Sequence, residues 1–502
     1  MGWAHFRCHT SLVTYPGGMG DGEKYEAVIG LEVHVQLKTQ SKAFSGSRCG
    51  FGEVPNTATD PVIMGLPGAL PVINHEAIRQ TVRAGLMFNC DISPLCRWDR
   101  KNYFYPDNPK NYQISQQGLP ICVGGSVEIE LPGPARNIMG PHRSVRLNRI
   151  HLEEDVGKLT HCGDYSLIDF NRAGTPLAEI VSEPDIFSPD EAAACLNSIR
   201  MSLESACISD CNMEKGQMRC DVNVSLRPVG SKELGNRTEL KNLNSISGVR
   251  NAIFYEIRRQ REILEAGGTP TQGTRRWNAE QGISEGMRSK ENAQDYCYFP
   301  EPDLMPVHIH TELVEELRKT LPGSPFDRQR RFMQQFDLPY TITSVICFDY
   351  NLSRFFEQTL IFHHNPRGIA NLIINDLLRE LSQNLLPPGD FGISPKDLAQ
   401  LVKLSDGGQI SKQAAQDVLV EVFRTGDGVG TIIERLGCTQ SQNPDELMAI
   451  CREVIGKNPK AVGEFRAGKT AAINALKGQV MKVTGGKANP AQVNIALGEL
   501  LN

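Results

Sequence analysis

Residues 26–38, EAVIGLEVHVQLK, alternate with period two: Ala27, Ile29, Leu31, Val33, Val35 and Leu37 on one side, Glu32, His34 and Gln36 on the other. This predicts a half-buried strand whose polar row is either a solvated face or a ligand face. MRCDVNVSLRP, residues 218–228, repeats the pattern, setting Arg219, Asp221, Asn223, Ser225 and Arg227 opposite Cys220, Val222, Val224 and Leu226. Between about 25 and 310 the chain consists of short alternating segments rich in Gly and Pro, with longer helical patterns only around 189–206 and 248–266. The expected fold is α+β on a mainly antiparallel sheet. After PEPDLMP, residues 300–306, apolar positions recur every three or four residues in TELVEELRKTL and ANLIINDLLRELSQNLL, which predicts helices. Pro387, Pro388 and Gly389 interrupt them, and a last helical segment carries turn signals at NPK and TGGKANP. The predicted organisation is an extension, 1–23, a large sheet-based domain, 24–310, an all-helical domain, 311–434, and a small helical tail domain, 435–502.

Composition narrows the class. A 502-residue chain, 40% hydrophobic and 22% charged, has room for two to four domains with real cores. The net charge of −5 predicts no overall attraction to nucleic acid and leaves a local basic face open. Fourteen scattered cysteines suit reduced thiols in a reducing compartment better than a disulfide framework. Cys207, Cys211 and Cys220 form the one tight group; without a C-x-x-C pair they read as buried small hydrophobes, and no zinc is expected. No run of eighteen apolar residues exists, so no membrane span is expected. The first twenty residues lack acids but hold one Arg and no apolar core, a weak match to a signal or transit peptide, and Met19 is an alternative start. The expected location is the cytoplasm, with the mitochondrial matrix as the alternative.

Four segments carry candidate chemistry. In HLEEDVGK, residues 151–158, three adjacent acids including Glu154 repel one another unless solvated, paired or bound to an ion, so the segment is a wet turn or an ion site. Glu179 lies inside the apolar run PLAEIV, where a carboxylate needs a partner: an ion, or a base such as Arg172. The polar row of MRCDVNVSLRP and the residues Arg237, Lys241, Asn242 and Asn244 of NRTELKNLNS suit phosphate and carboxylate recognition. Together they point to a pocket for Mg²⁺, phosphates and an anionic substrate. GEFRAGKT, residues 463–470, matches the phosphate-loop pattern letter for letter, but it follows helical sequence rather than a strand and carries Glu464, Phe465 and Arg466 at loop positions. It is therefore read as helical. Residues 457–487 hold seven basic residues against one acid, either a solvated helical face or a contact surface for a phosphate backbone.

The stretches VIGLEVHVQLKTQSKAFS, GLPGALPVIN, RKNYFYPDNPKNYQISQ, LEEDVGK, NRAGTPLAEIVSEPD, RCDVNVSLRP, RTELKNLNS and DYCYFPEPDL, in order from about 25, resemble the B subunit of the tRNA-dependent amidotransferases of the GatCAB type. The resemblance implies a cradle domain that binds ATP and the acceptor end of a misacylated tRNA, phosphorylates the side-chain carboxylate and lets ammonia displace the phosphate. The product is Gln-tRNA(Gln) from Glu-tRNA(Gln), Asn-tRNA(Asn) from Asp-tRNA(Asn), or both. By similarity, His34, Glu154 and Glu179 hold Mg²⁺ with Glu32 beside them. Glu154, Glu179, Asp221 and Lys241 are the expected catalytic residues, and Asn223, Arg237 and Asn244 the expected nucleotide contacts. The resemblance also gives the tail to tRNA, with Lys460, Arg466, Lys469, Lys482 and Lys487 as contacts, and makes the A and C subunits of the amidotransferase partners in a heterotrimer. The chain carries no serine-rich amidase signature, so ammonia is expected from the A subunit. Two departures stand out. Many members bind zinc through a C-x-C and a C-x-x-C in the region matching 47–65, where this chain keeps only Cys49 and has TDPVIM for the second pair. Cys297 stands where members often have Arg. A non-catalytic tRNA-binding scaffold is the second reading, against which the joint presence of His34, Glu154 and Glu179 argues; a free-standing Mg-ATP kinase of a small acid would leave the basic tail unexplained.

Overall fold

The structure, a computed structural model, describes residues 24–287, 296–384, 389–438, 444–467, 469–484, 488 and 490–501. Its residues fall into two compact units, one ending at Ser324 and one beginning at Pro325.

The first unit is built on a ten-stranded sheet. The opening strand, Tyr25–Gln36, lies in the middle, between Pro176–Ser182 and Met218–Pro228, antiparallel to both. Beyond Pro176–Ser182 comes His142–Glu154, and beyond Met218–Pro228 comes Thr238–Lys241, again antiparallel. The pairing of Thr238–Lys241 with Gly273–Asn278 is parallel. The predicted alternation holds: Ile29, Leu31, Val33 and Val35 are at most 1% exposed, while Glu32, His34 and Gln36 are only partly buried. Against the apolar face pack the helices His75–Met87, Pro189–Ser205 and Ile246–Glu265, which supply Val82, Leu196, Ile199, Val249 and Ile253 to the same core. Covering one face of the sheet leaves the other free to form a site. Ser188 and Ser245 cap two of these helices, accepting from the backbone N–H groups of Glu191 and Gly248 at 3.1 and 3.0 Å.

Two details differ from the sequence reading. His75–Met87 is a helix where no longer helical pattern was expected; Asn74 caps it, and Ile78, Val82 and Leu86 lie buried along it. Thr311–Thr320, assigned from sequence to the helical domain, belongs to the first unit, because Leu317 enters the sheet domain's core.

Among the described residues, every regular element of the second unit is a helix. Phe332, Phe356, Ile369, Leu398, Val418 and Ile432 belong to one apolar cluster, and Leu447, Cys451, Leu476, Val480, Val493 and Leu497 to another. Glu464, Phe465 and Arg466 lie in the helix Pro459–Arg466, which follows the helix Pro444–Lys457. Among the described residues no strand directly precedes this segment, and residues 463–466 form a helix where a phosphate loop needs a wrapping turn. No helix among the described residues is long and apolar enough to cross a membrane.

Candidate active site

The antiparallel register brings the polar rows together. His34 lies directly opposite Glu179 on one neighbour and Arg219 on the other, Glu32 lies opposite Asp221, and Glu179 lies opposite His151. His34 Nε2 stands 3.4 Å from Glu153 Oε1 and 3.4 Å from Glu179 Oε2, and His151 Nε2 stands 3.1 Å from Glu179 Oε2. Among the described residues, His34, Glu153 and Glu179 are the one group of three potential metal-ligating side chains whose donor atoms all lie within 4.8 Å of one another.

The third member of the group is thus Glu153, where the sequence reading had Glu154. On His142–Glu154, His151 and Glu153 share the face turned to His34 and Glu179, and the next residue must point to the other side. Glu154 is buried there, its carboxylate accepting from the backbone N–H of Ile114 at 2.9 Å and from the Lys110 ammonium. The apolar residues Ile150 and Leu152, alternating with His151 and Glu153, carried this signal in the sequence. Glu179 has two histidines as partners, while Arg172 pairs instead with the buried Asp155.

The electrostatics follow from burial and proximity. Burial disfavours charge on His34, yet the hydrogen bond and charge of Glu179, with Glu153 behind them, push it up to about 9. Burial alone would raise Glu179, but His151 and His34 hold its carboxyl well below the usual carboxylate range. Glu32 is raised by burial and by the charge of Glu179, a shift opposed by the hydrogen bond from Asn223 at 2.8 Å. Without a cation, a proton on His34 balances part of the carboxylate charge. Two carboxylate oxygens and one imidazole nitrogen at this spacing form a donor set that fits a divalent cation of the Mg²⁺ or Mn²⁺ type.

This cluster borders a cleft of about 270 Å³ lined by His34, Glu153, Asp155, Asp221, Lys101, Tyr103, Arg219 and Lys241, among others. The cations are held in place. Lys241 Nζ bonds Asp221 at 2.8 Å and Glu239 at 2.9 Å, and Arg219 Nη2 bonds Asp155 at 2.8 Å. Burial works against the charge on Lys241 and Lys101, but Asp221 and Glu239 around the first, and chiefly Glu153 around the second, raise both. Burial would raise Asp155, and Arg219 with Arg172 lowers it. Sequence reasoning named the segment HLEEDVGK, which holds His151, Glu153 and Asp155, but chose Glu154 from it, and it did not single out Lys101 or Tyr103. Arg237 and Asn244, expected as nucleotide contacts, are exposed and do not line the cleft, and Asn223 is engaged with Glu32. In the second unit Lys460, Arg466, Lys469 and Lys482 are all exposed; Lys487 lies outside the described residues.

Comparison with known proteins agrees in extent with both units. A family model described as the GatB/GatE catalytic domain matches residues 27–315, and one described as the GatB domain matches residues 354–501. Proteins named as the B subunit of aspartyl/glutamyl-tRNA(Asn/Gln) amidotransferase are similar along nearly the whole chain. The one from Opitutus terrae is 54% identical over 480 residues, 95% of this chain and 99% of its own length. Those from Thermoanaerobacter sp. and Moorella thermoacetica are 48% and 46% identical over 480 and 482 residues, 95% of this chain and 100% of theirs.

Proposed function

The chain belongs to the family of the aspartyl/glutamyl-tRNA(Asn/Gln) amidotransferase B subunit, and on that premise we propose that its sheet-based unit activates the side-chain carboxylate of a misacylated tRNA and forms the amide there. The observation that carries the reading is the cluster of His34, Glu153 and Glu179 beside a cleft whose walls present Lys101, Arg219 and Lys241.

The chemistry explains the need for both features. Ammonia does not displace oxide from a carboxylate, so the carboxylate must first become an acyl phosphate: its oxygen attacks the γ-phosphorus of ATP and ADP departs. Ammonia then adds to the acyl carbon, and inorganic phosphate leaves with the bonding electrons and takes up the proton that the nitrogen loses, giving the amide of Gln-tRNA(Gln) or Asn-tRNA(Asn). His34, Glu153 and Glu179 are the residues that would hold Mg²⁺, with Glu32 near them. When bound, the ion neutralises phosphate charge and polarises the phosphoryl group. Lys241, fixed by Asp221 and Glu239, and Arg219, fixed by Asp155, offer preorganised positive charge to a substrate whose carboxylate and phosphates are anionic. Glu154, turned away and paired with Lys110, is given a structural role.

Ammonia comes from a partner. The relatives carry the name of a B subunit, which implies an assembly of several subunits; the A and C subunits are the proposed partners, the former supplying ammonia from glutamine. The exposed cations of the second unit, Lys460, Arg466, Lys469 and Lys482, contact the tRNA backbone in this reading.

The test is amidation of Glu-tRNA(Gln) and Asp-tRNA(Asn) by the reconstituted complex with ATP, Mg²⁺ and free ammonium in place of glutamine. Product is expected with at least one tRNA and is expected to vanish with His34→Ala or Glu179→Ala while tRNA affinity stays within a few-fold. Undiminished amidation by both variants would remove the cluster from the reaction.

A further inference from the structure

His151 remains outside this account. It lies opposite Glu179 in the sheet register, is 3% exposed, and directs Nε2 at Glu179 Oε2 from 3.1 Å. It is not one of the three clustered ligand groups. Its other ring nitrogen, Nδ1, is buried and has no hydrogen-bond partner among the described residues. The ring therefore meets polar protein through one nitrogen only, at a carboxylate of the candidate cation site.

Proximity to a carboxylate decides which nitrogen carries hydrogen. A bare Nε2 lone pair would face the lone pairs of Glu179, so Nε2 must be the N–H and must donate. His34 also faces Glu179 Oε2, at 3.4 Å, but as a ligand it would offer Nε2 as a lone pair and could no longer donate through it. His151 then becomes the remaining side-chain donor to Glu179 among the described residues. A carboxylate can rotate about its last bonds, and a donor held at Oε2, the oxygen that His34 also faces, limits that rotation.

Resting on the reading of His34, Glu153 and Glu179 as a divalent-cation site, we propose that His151 is a positioning residue that orients Glu179 toward the cation through its Nε2–H. An apolar substitute of similar bulk would fill the same space and pack against the same neighbours, so the proposal separates donation from packing. His151→Leu removes the donor and keeps the bulk. His151→Gln keeps an amide N–H within similar reach.

The experiment is titration of the full chain with Mn²⁺ alone, followed by calorimetry and by the electron paramagnetic resonance of free ion, for wild type, H151L, H151Q, H34A and E179Q, each checked for folding by thermal melting. The expected result is a 10- to 100-fold weaker Kd for H151L, roughly the range for loss of a ligand-orienting partner, with H151Q within about threefold of wild type and no site-specific binding in H34A or E179Q. In the reconstituted complex, H151L should raise the Mg²⁺ concentration for half-maximal ammonium-dependent amidation, with kcat near wild type at saturating Mg²⁺. An unchanged Mn²⁺ Kd in H151L, with binding lost in H34A and E179Q, would overturn the role of His151 and leave the cation site standing. Wild-type binding by H34A and E179Q would overturn the cation site and the inference together. Equal losses in H151Q and H151L would show that N–H donation is not what His151 supplies. If H151L fails to fold, H151A takes its place in the same comparison.

Discussion

Glu153 and Glu154 adjoin in sequence and are 2% and 3% exposed, yet one faces the cleft and the other an ammonium on the far side of the strand. Their substitutions should therefore separate function from stability. Glu153→Gln should abolish Mn²⁺ binding and ammonium-dependent amidation with little loss in urea midpoint. Glu154→Gln should cost about 3 kcal/mol by leaving the buried Lys110 unpaired, while Mn²⁺ binding persists; urea denaturation and calorimetry on both variants check this. Asp155 offers a pH test. Its carboxyl is held below the ordinary value of 3.8, chiefly by Arg219 and Arg172 acting against burial. A depressed folded value means the stabilisation is complete above about pH 4 and is lost as pH falls through the folded value. The wild-type urea midpoint should fall more steeply between about pH 4 and pH 2 than that of Asp155→Asn. At about pH 7 that variant should lose about 2 kcal/mol, less than a fully buried pair, since the Arg172 and Arg219 side chains are 30% and 43% exposed.

At the scale of elements, period-two and helical patterns were legible in several elements that have one face buried and the other wet. Tyr25–Gln36 and Met218–Pro228 appear where alternation placed them, and Pro189–Ser205 and Ile246–Glu265 match the expected helices to within two residues at each end. The caps act locally: Ser245→Ala should destabilise the first unit by about 1 kcal/mol, read from chemical denaturation, because it removes the acceptor for the Gly248 N–H. Other elements escaped notice for physical reasons. His75–Met87 follows a Gly- and Pro-rich stretch that masked the four-residue spacing of Ile78, Val82 and Leu86 behind Asn74. Within the predicted helix after Ala370, Ile373–Leu377 is a π-helical turn, which depends on a shifted hydrogen-bond pattern rather than on the spacing of apolar residues.

For the whole molecule, the net charge of −5 hides an uneven distribution of charged residues. The acidic cluster sits in the first unit, while exposed Lys460, Arg466, Lys469 and Lys482 decorate the second. Replacing Lys469 and Lys482 together by Ala should weaken tRNA binding and reduce the slope of log affinity against log salt by about 1 to 2, since each phosphate no longer neutralised releases one counterion fewer. An unchanged slope in filter-binding assays from about 50 to 300 mM salt would remove these two residues from the tRNA surface.

The sequence by itself determined that a sheet-based domain precedes helical ones, which faces of two strands are polar, and that Glu179 needs a partner, because alternation, helical spacing and the cost of burying charge act over a few residues. Only the tertiary structure decided that the partners of Glu179 are His34 and His151, that Glu153 rather than Glu154 joins them, and that Arg219 and Lys241 wall the same cleft. Those outcomes depend on the register of strands far apart in the chain, and a shift of one residue in that register exchanges the face each side chain occupies.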